Sequence, residues 1–167
     1  MKSFRFFLGV CEFIIEFFGK IASSLIPLLI LIISISVILR YFFSLGFTWL
    51  QDLYIWIHAS IILLGIAYTL KHDSHVRIDL IYRNSTKKFK SLINIFGTVF
   101  FTLPFSCLLI MKAFPYFHRS FLLNEASKES GGLPAVYILK FIIFLMGVSL
   151  IVYVLSNFLK FVIQKWK

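Results

Sequence analysis

The chain has 167 residues, 60% of them hydrophobic and 14% charged, with a mean hydropathy of +0.93 and a formal net charge of +10. A soluble core of this size cannot hide that much apolar surface, so the composition excludes a soluble globular domain and points to an integral membrane protein. Cys11 and Cys107 lie in apolar runs with no second ligand at metal spacing, which argues against a disulfide framework or a cysteine zinc site.

Residues 1–20 come first. Arg5, Gly9, Glu12, Glu16 and Lys20 recur at spacings of four and three, with Phe4, Phe6, Phe7, Phe13, Ile14, Phe17 and Phe18 around them. That pattern predicts an amphipathic helix with one narrow polar stripe, either lying among lipid headgroups or docking a partner. The apolar run that follows is too long for a cleaved signal sequence and continues into RYFFSLGF, so it reads as an anchor.

Four stretches, 21–43, 49–70, 92–117 and 135–159, reach the roughly 20 residues that cross a bilayer. The fold class expected is therefore an all-α integral membrane protein, a single four-span domain over 1–167 with the amphipathic segment in front. SLGF joins the first pair of spans so tightly that they must be antiparallel neighbours. Arg40 and Asp52 then face the same side and are expected to pair, and Thr48 with Gln51 fits a capping box that starts the second span at Trp49. Pro104 is expected to kink the third span, and Lys112 lies near enough to its exit to snorkel.

Residues 65–80, GIAYTLKHDSHVRIDL, turn from apolar to charged within one segment. Basic residues give the orientation: twelve lie in the N-terminal segment, the middle loop and the tail, against Arg40, Lys112, Arg119, Lys128 and Lys140 elsewhere. The positive-inside rule then places both termini and the middle loop in the cytoplasm, and the net charge needs a lipid bilayer and no nucleic acid as its partner.

A metal site would use His72, Asp73, His75 and Asp79, but one short loop supplies no fixed scaffold for them. A haem would need a second histidine at the depth of His58, and no other span offers one. His58 reads instead as a helix-packing residue bonded to a backbone carbonyl or to a partner subunit. No catalytic set and no cofactor site assembles at a common depth, and no paired broken helices mark a transporter midplane site. The chain is therefore expected to be no enzyme and to bind no cofactor.

RYFFSLGFTWLQDL, GIAYTLKHDSHVRIDL and SKESGGLP, in that order and spacing, resemble the small membrane subunit of tripartite ATP-independent periplasmic (TRAP) transporters, the DctQ-like family. Residue by residue, the family pattern falls on Arg40, Trp49 and Asp52, on Gly65, His75, Arg77 and Asp79, and on Glu129, Ser130 and Pro134. Where many relatives carry two adjacent acids, this chain has Gln51 then Asp52. The resemblance implies a scaffold in the bacterial inner membrane. Its partners would be a larger multi-span membrane subunit and a periplasmic solute-binding protein, in sodium-driven uptake of an organic acid. Trp49, Trp56 and His58 are then expected lateral contacts, and Gly65 is expected to permit close helix approach. His75, Arg77 and Asp79 alternate with apolar residues, so an extended segment there would present one polar edge, either to the large subunit or to solvent. The alternative function is a membrane anchor of a redox enzyme.

Overall fold

The computed structural model describes residues 2–74 and 86–165. It is all-helical, with no strand among the described residues. The helices are α1 (Lys2–Phe42), α2 (Thr48–Lys71), α3 (Lys87–Gly97), a π-helical turn (Thr98–Thr102), α4 (Leu103–Leu122) and α5 (Tyr137–Lys165). Among the described residues, four continuous stretches are long and apolar enough to cross a membrane: Phe4–Phe42, Thr48–Lys71, Phe89–Leu122 and Tyr137–Ile163.

The amphipathic segment and the first span are one helix. At 1.5 Å per residue, the 41 residues of α1 measure about 60 Å, twice the thickness of a bilayer core. The helix runs unbroken from its polar stripe into its apolar run: Gly19 at the junction is accommodated within it, and no proline falls there. The third span likewise begins earlier than the apolar pattern suggests. The Thr86 side chain accepts the Phe89 N–H at 3.4 Å, and this cap starts α3 inside the charged stretch.

Pro104 acts through the turn before it. Its ring cannot share space with the carbonyl four residues back, and the backbone there widens into the π turn, where the Leu103 N–H donates five residues back to Thr98 O. The second span starts at Thr48, with Phe47 at its N-cap and no side-chain cap bond, so the expected capping box of Thr48 and Gln51 does not form.

Helix ends are set by left-handed residues. Asp73 has φ 56°, and behind it Asp73 N–H reaches Leu70 O at 3.3 Å and Ser74 N–H reaches Thr69 O at 3.0 Å. Asn124, φ 46°, repeats the arrangement at the end of α4, with Asn124 N–H on Phe121 O and Glu125 N–H on Ser120 O, both at 3.1 Å. Both are Schellman closures, with Asp and Asn at the position where glycine is commonest.

α5 is the hub: it packs against α1, α2 and α4, while α1 and α2 pack on each other and α4 packs chiefly on α5. The interior is small and hydroxylic, the exterior aromatic. Ser106, Ser120, Ser149 and Ser156 are fully buried, whereas Phe6, Phe7, Phe13, Phe100, Phe101 and Phe158 are exposed. This arrangement suits helices solvated by lipid, where small residues let backbones approach and hydroxyls bond to their own helix. Ser106 donates to Leu103 O at 2.9 Å, Ser149 to Met146 O at 2.8 Å and Ser60 to Trp56 O at 2.7 Å.

Two glycines carry the close approaches between helices. A Cβ on Gly19 would lie 2.2 Å from the Tyr68 ring, and one on Gly147 would lie 2.8 Å from Ile110 Cγ1. Gly65, expected to serve this purpose, does not: its Cβ would meet Ala22 Cβ at an ordinary 3.7 Å. Gly19→Val should therefore destabilise the α1/α2 pair by about 1–3 kcal/mol or more, through overpacking. Gly65→Ala should be neutral or stabilising by up to about 1 kcal/mol. Reversible unfolding in detergent micelles distinguishes the two, and equal losses would contradict the packing described.

Candidate functional site

Charged side chains of this chain gather at the two ends of the bundle and tie its helices together. At the end that holds the chain termini, α1 supplies two carboxylates one helical turn apart. Glu16 Oε1 accepts from Lys71 Nζ at 2.7 Å and lies 2.8 Å from His72 Nε2, both at the end of α2. Glu12 Oε1 lies 2.9 Å from Lys160 Nζ on α5. Two members of the polar stripe read from the sequence, Glu12 and Glu16, thus tie α1 to two neighbours, while Arg5, Gly9 and Lys20 are exposed. The spacing of the stripe was visible, but the partners, 55 residues away for Lys71, carry no local signal.

At the opposite, hairpin end, the segment between α4 and α5 is a closed loop. Ser127 N–H bonds Leu133 O at 2.9 Å, Gly132 N–H bonds Glu129 O at 3.0 Å, and Val136 N–H bonds Glu125 O at 2.9 Å. Gly131, φ 75°, supplies the left-handed corner of the Glu129–Gly132 turn. Asp52, in the second turn of α2, clasps this loop: its Oδ2 accepts the Leu133 N–H at 2.9 Å. Gly132 is what lets it come so near, since a Cβ there would lie 2.5 Å from Asp52 Oδ2 and from Ser127. The sequence reading gave Asp52 to Arg40. The structure corrects it: Arg40 is exposed and forms no ion pair with Asp52, whose carboxylate is turned to the backbone of the loop.

Beside this clasp is a charged cluster that sequence reasoning did not find. Lys140, in the first turn of α5, is buried, ion-paired with Glu125 Oε2, and lies 3.9 Å from the centroid of the Tyr116 ring. Ser120 Oγ donates to the same carboxylate oxygen at 2.6 Å. The ammonium of Lys140, and then the Ser120 hydroxyl, hold the Glu125 carboxyl below its ordinary range. The one signal available was a lysine at the start of an apolar span, where burial demands a nearby carboxylate.

The remaining sequence-selected residues scatter. Trp49 is exposed and Trp56 half-buried; they lie seven residues apart on one stripe of α2. His58, nine residues from Trp49, lies half a turn out of phase, so the three do not share one face. His58 is exposed and makes no hydrogen bond among the described residues, which removes the backbone-carbonyl reading. Glu129, Ser130 and Pro134 are exposed on the clasped loop. His75, Arg77 and Asp79 lie outside the described residues. No group of three metal-ligating side chains that could hold an ion occurs among the described residues.

The clasp joins two of the three stretches singled out in the sequence, TWLQDL and SKESGGLP, and the chain matches the family model for the DctQ component of tripartite ATP-independent periplasmic transporters over residues 29–163. The chain belongs to this family. It is a transporter component and not an enzyme. No curated protein and no solved structure gives a significant match. The DctQ match takes in all of α2 to α4 and most of α5, and leaves out the first 28 residues, so the Glu12 and Glu16 ties lie outside it.

Two predictions concern the hairpin end. Asp52→Ala should cost about 1–3 kcal/mol by orphaning the Leu133 N–H, with Asp52→Asn, which keeps an acceptor oxygen, costing less. Combined with Arg40→Ala, the losses should add to within about 0.5 kcal/mol, because the two residues share no contact; a larger coupling would restore the ion pair. Glu125 has a depressed carboxyl, so its contribution is present above the unfolded-state carboxylate range near pH 4 and lost as pH falls through its folded value. Melting curves in micelles should show an acid-side loss of stability that Glu125→Gln reduces; an unchanged acid limb would contradict the tie.

Proposed function

We propose that this DctQ-family chain is the scaffold subunit of its transporter. It packs against a larger multi-span membrane subunit that carries the solute, with a periplasmic binding protein delivering an organic acid and a sodium gradient driving uptake. The observation that supports the scaffold role is the chemistry of the spans. Their buried polar residues among those described are Ser60, Ser106, Ser120, Ser149, Ser156 and Lys140. Lys140 is committed to Glu125, and Ser60, Ser106 and Ser149 bond to their own backbones. A charged solute crossing here would lose its hydration with nothing to replace it, a cost of several kcal/mol or more. The wide apolar exterior, by contrast, suits lateral packing against another membrane protein.

The proposed setting is the bacterial inner membrane with both termini and residues 72–86 cytoplasmic, as the basic-residue asymmetry favours. The binding protein would then meet the hairpin end, where the clasped loop exposes Glu129, Ser130 and Pro134. The same orientation would put the segment with His75, Arg77 and Asp79 on the cytoplasmic face of the large subunit.

Two measurements test this reading. Reporter fusions after Gly46 and Lys128 should report the periplasm, and those after Ser85 and Lys167 the cytoplasm; a periplasmic Ser85 would refute the orientation. Reconstitution of the small chain, the large subunit and both together should give sodium-driven uptake only for the pair with binding protein present. Uptake by the small chain alone would overturn the scaffold role, and full uptake by the large subunit alone would make it dispensable.

A further inference from the structure

α4 packs chiefly on α5, through Ser106, Ala113 and Ser120 at seven-residue intervals, and its other sides are bare. There Phe105, Leu108 and Met111 are exposed, and so is Lys112. The depth of Lys112 follows from the ion pairs on α5. Lys140 and Lys160, tied at the hairpin and terminal ends, lie 20 residues and about 30 Å apart, the thickness of a hydrocarbon core. Ile110 packs on Gly147, and the Phe114 ring lies 5.6 Å from that of Phe144, so Lys112 is level with residues 144–147. That is about 6–10 Å inside the boundary marked by Lys140.

The direction of the helix opposes the snorkelling expected of this lysine. α4 runs towards the hairpin end, and a helical Cα–Cβ bond leans towards the N-terminus, so the Lys112 side chain leaves its backbone towards the middle of the bilayer. Nor does the chain supply a counter-ion among the described residues. Of its seven carboxylates, Glu12, Glu16 and Asp73 belong to the terminal end, Asp52 and Glu125 are engaged at the hairpin end, and Glu129 is exposed on the clasped loop. Asp79 lies outside the described residues. Lys140 is buried against a carboxylate of its own chain, whereas Lys112, one to two turns deeper, faces outward with no ion pair among the described residues.

We propose that α4 is the side on which this chain meets the larger membrane subunit, and that Lys112 pairs there with a carboxylate on a membrane helix of that subunit. The proposal rests on the scaffold reading above and names its contact. A cation at this depth is satisfied by an opposite charge and not by hydrocarbon, so the unmatched lysine specifies the sign of its complement. Phe105, Leu108 and Met111 supply the apolar surface that packs around the pair. α5, itself packed on α1 and α2, holds α4 in place with its outer side free for the partner.

The test uses the two membrane subunits, co-expressed and purified as a complex in detergent. Lys112→Leu should weaken their association about tenfold or more, the effect of removing one partner of a desolvated ion pair. Lys112→Arg should keep most of the affinity, and Lys112→Glu, set against a carboxylate, should weaken it further than Lys112→Leu. The melting temperature of the isolated chain should not fall with Lys112→Leu, because no tie inside the chain is lost; a fall would make the role internal and overturn the proposal. A photo-crosslinking residue at Leu108 should attach to the large subunit, with the same probe at Ile30 of α1 and Ile62 of α2 reporting other exposed sides. Undiminished association of Lys112→Leu would show the lysine reaching headgroups and would also overturn the proposal. Attachment from Ile30 or Ile62 with Leu108 silent would overturn it and leave the scaffold reading standing, whereas a large subunit that never copurifies with this chain would sink both.

Discussion

A polar group placed in hydrocarbon must find its partner within the protein, and that single constraint arranges this molecule. With only seven acidic residues in 167, the chain is sparing with carboxylates, and those that tie helices together do so at the two ends of the bundle. Glu12 and Glu16 bind α1 to α5 and α2, Asp52 binds α2 to the α4–α5 loop, and Glu125 binds that loop to α5. Between the two charged ends the buried polar side chains among the described residues are serines, and Ser60, Ser106 and Ser149 bond to their own helix. Association of the spans then rests on close packing at small residues, as at Gly19 against Tyr68 and Gly147 against Ile110.

The two ends differ in how they do this. The hairpin end is mainly a backbone device: Asp52 has a loop amide as its partner, so its geometry depends on Gly131 and Gly132 making the turn and leaving room. The terminal end is a side-chain device of half-exposed ion pairs, whose worth is modest and salt-dependent where the headgroups are wet. Lys71, with its side chain only 13% exposed, is the member of that end most dependent on its carboxylate. The family match begins at residue 29, so it takes in Lys71 and Lys160 of the terminal end and leaves out their carboxylate partners Glu16 and Glu12.

Much of the architecture was legible because its signals are local. Four apolar runs of spanning length and the turn at SLGF are properties of adjacent residues. The DctQ motifs were legible too, and two of them meet at the clasp. What misled was pairing by proximity in sequence. Arg40 and Asp52 are twelve residues apart and of opposite charge, yet Asp52 serves an amide 81 residues away. Gly65 was expected to be the close-contact glycine because the family pattern falls on it, whereas Gly19, in the amphipathic segment, holds that place. The Glu125–Lys140 tie escaped because each partner alone reads as an ordinary boundary charge.

The central claim is that no aqueous route for a charged solute runs through this chain. In a background with Cys11 and Cys107 replaced by serine, single cysteines at Ser60, Leu64, Ser106 and Ser149 sample its interior at several depths, all of them buried. Their reaction with a charged, water-requiring thiol reagent during sodium-driven uptake by the assembled transporter is the most direct measurement. The account predicts that all four stay unlabelled while cysteines at Gly46 and Ser130 label readily. Solute-protectable labelling at any of the four would contradict it and place the path inside this subunit.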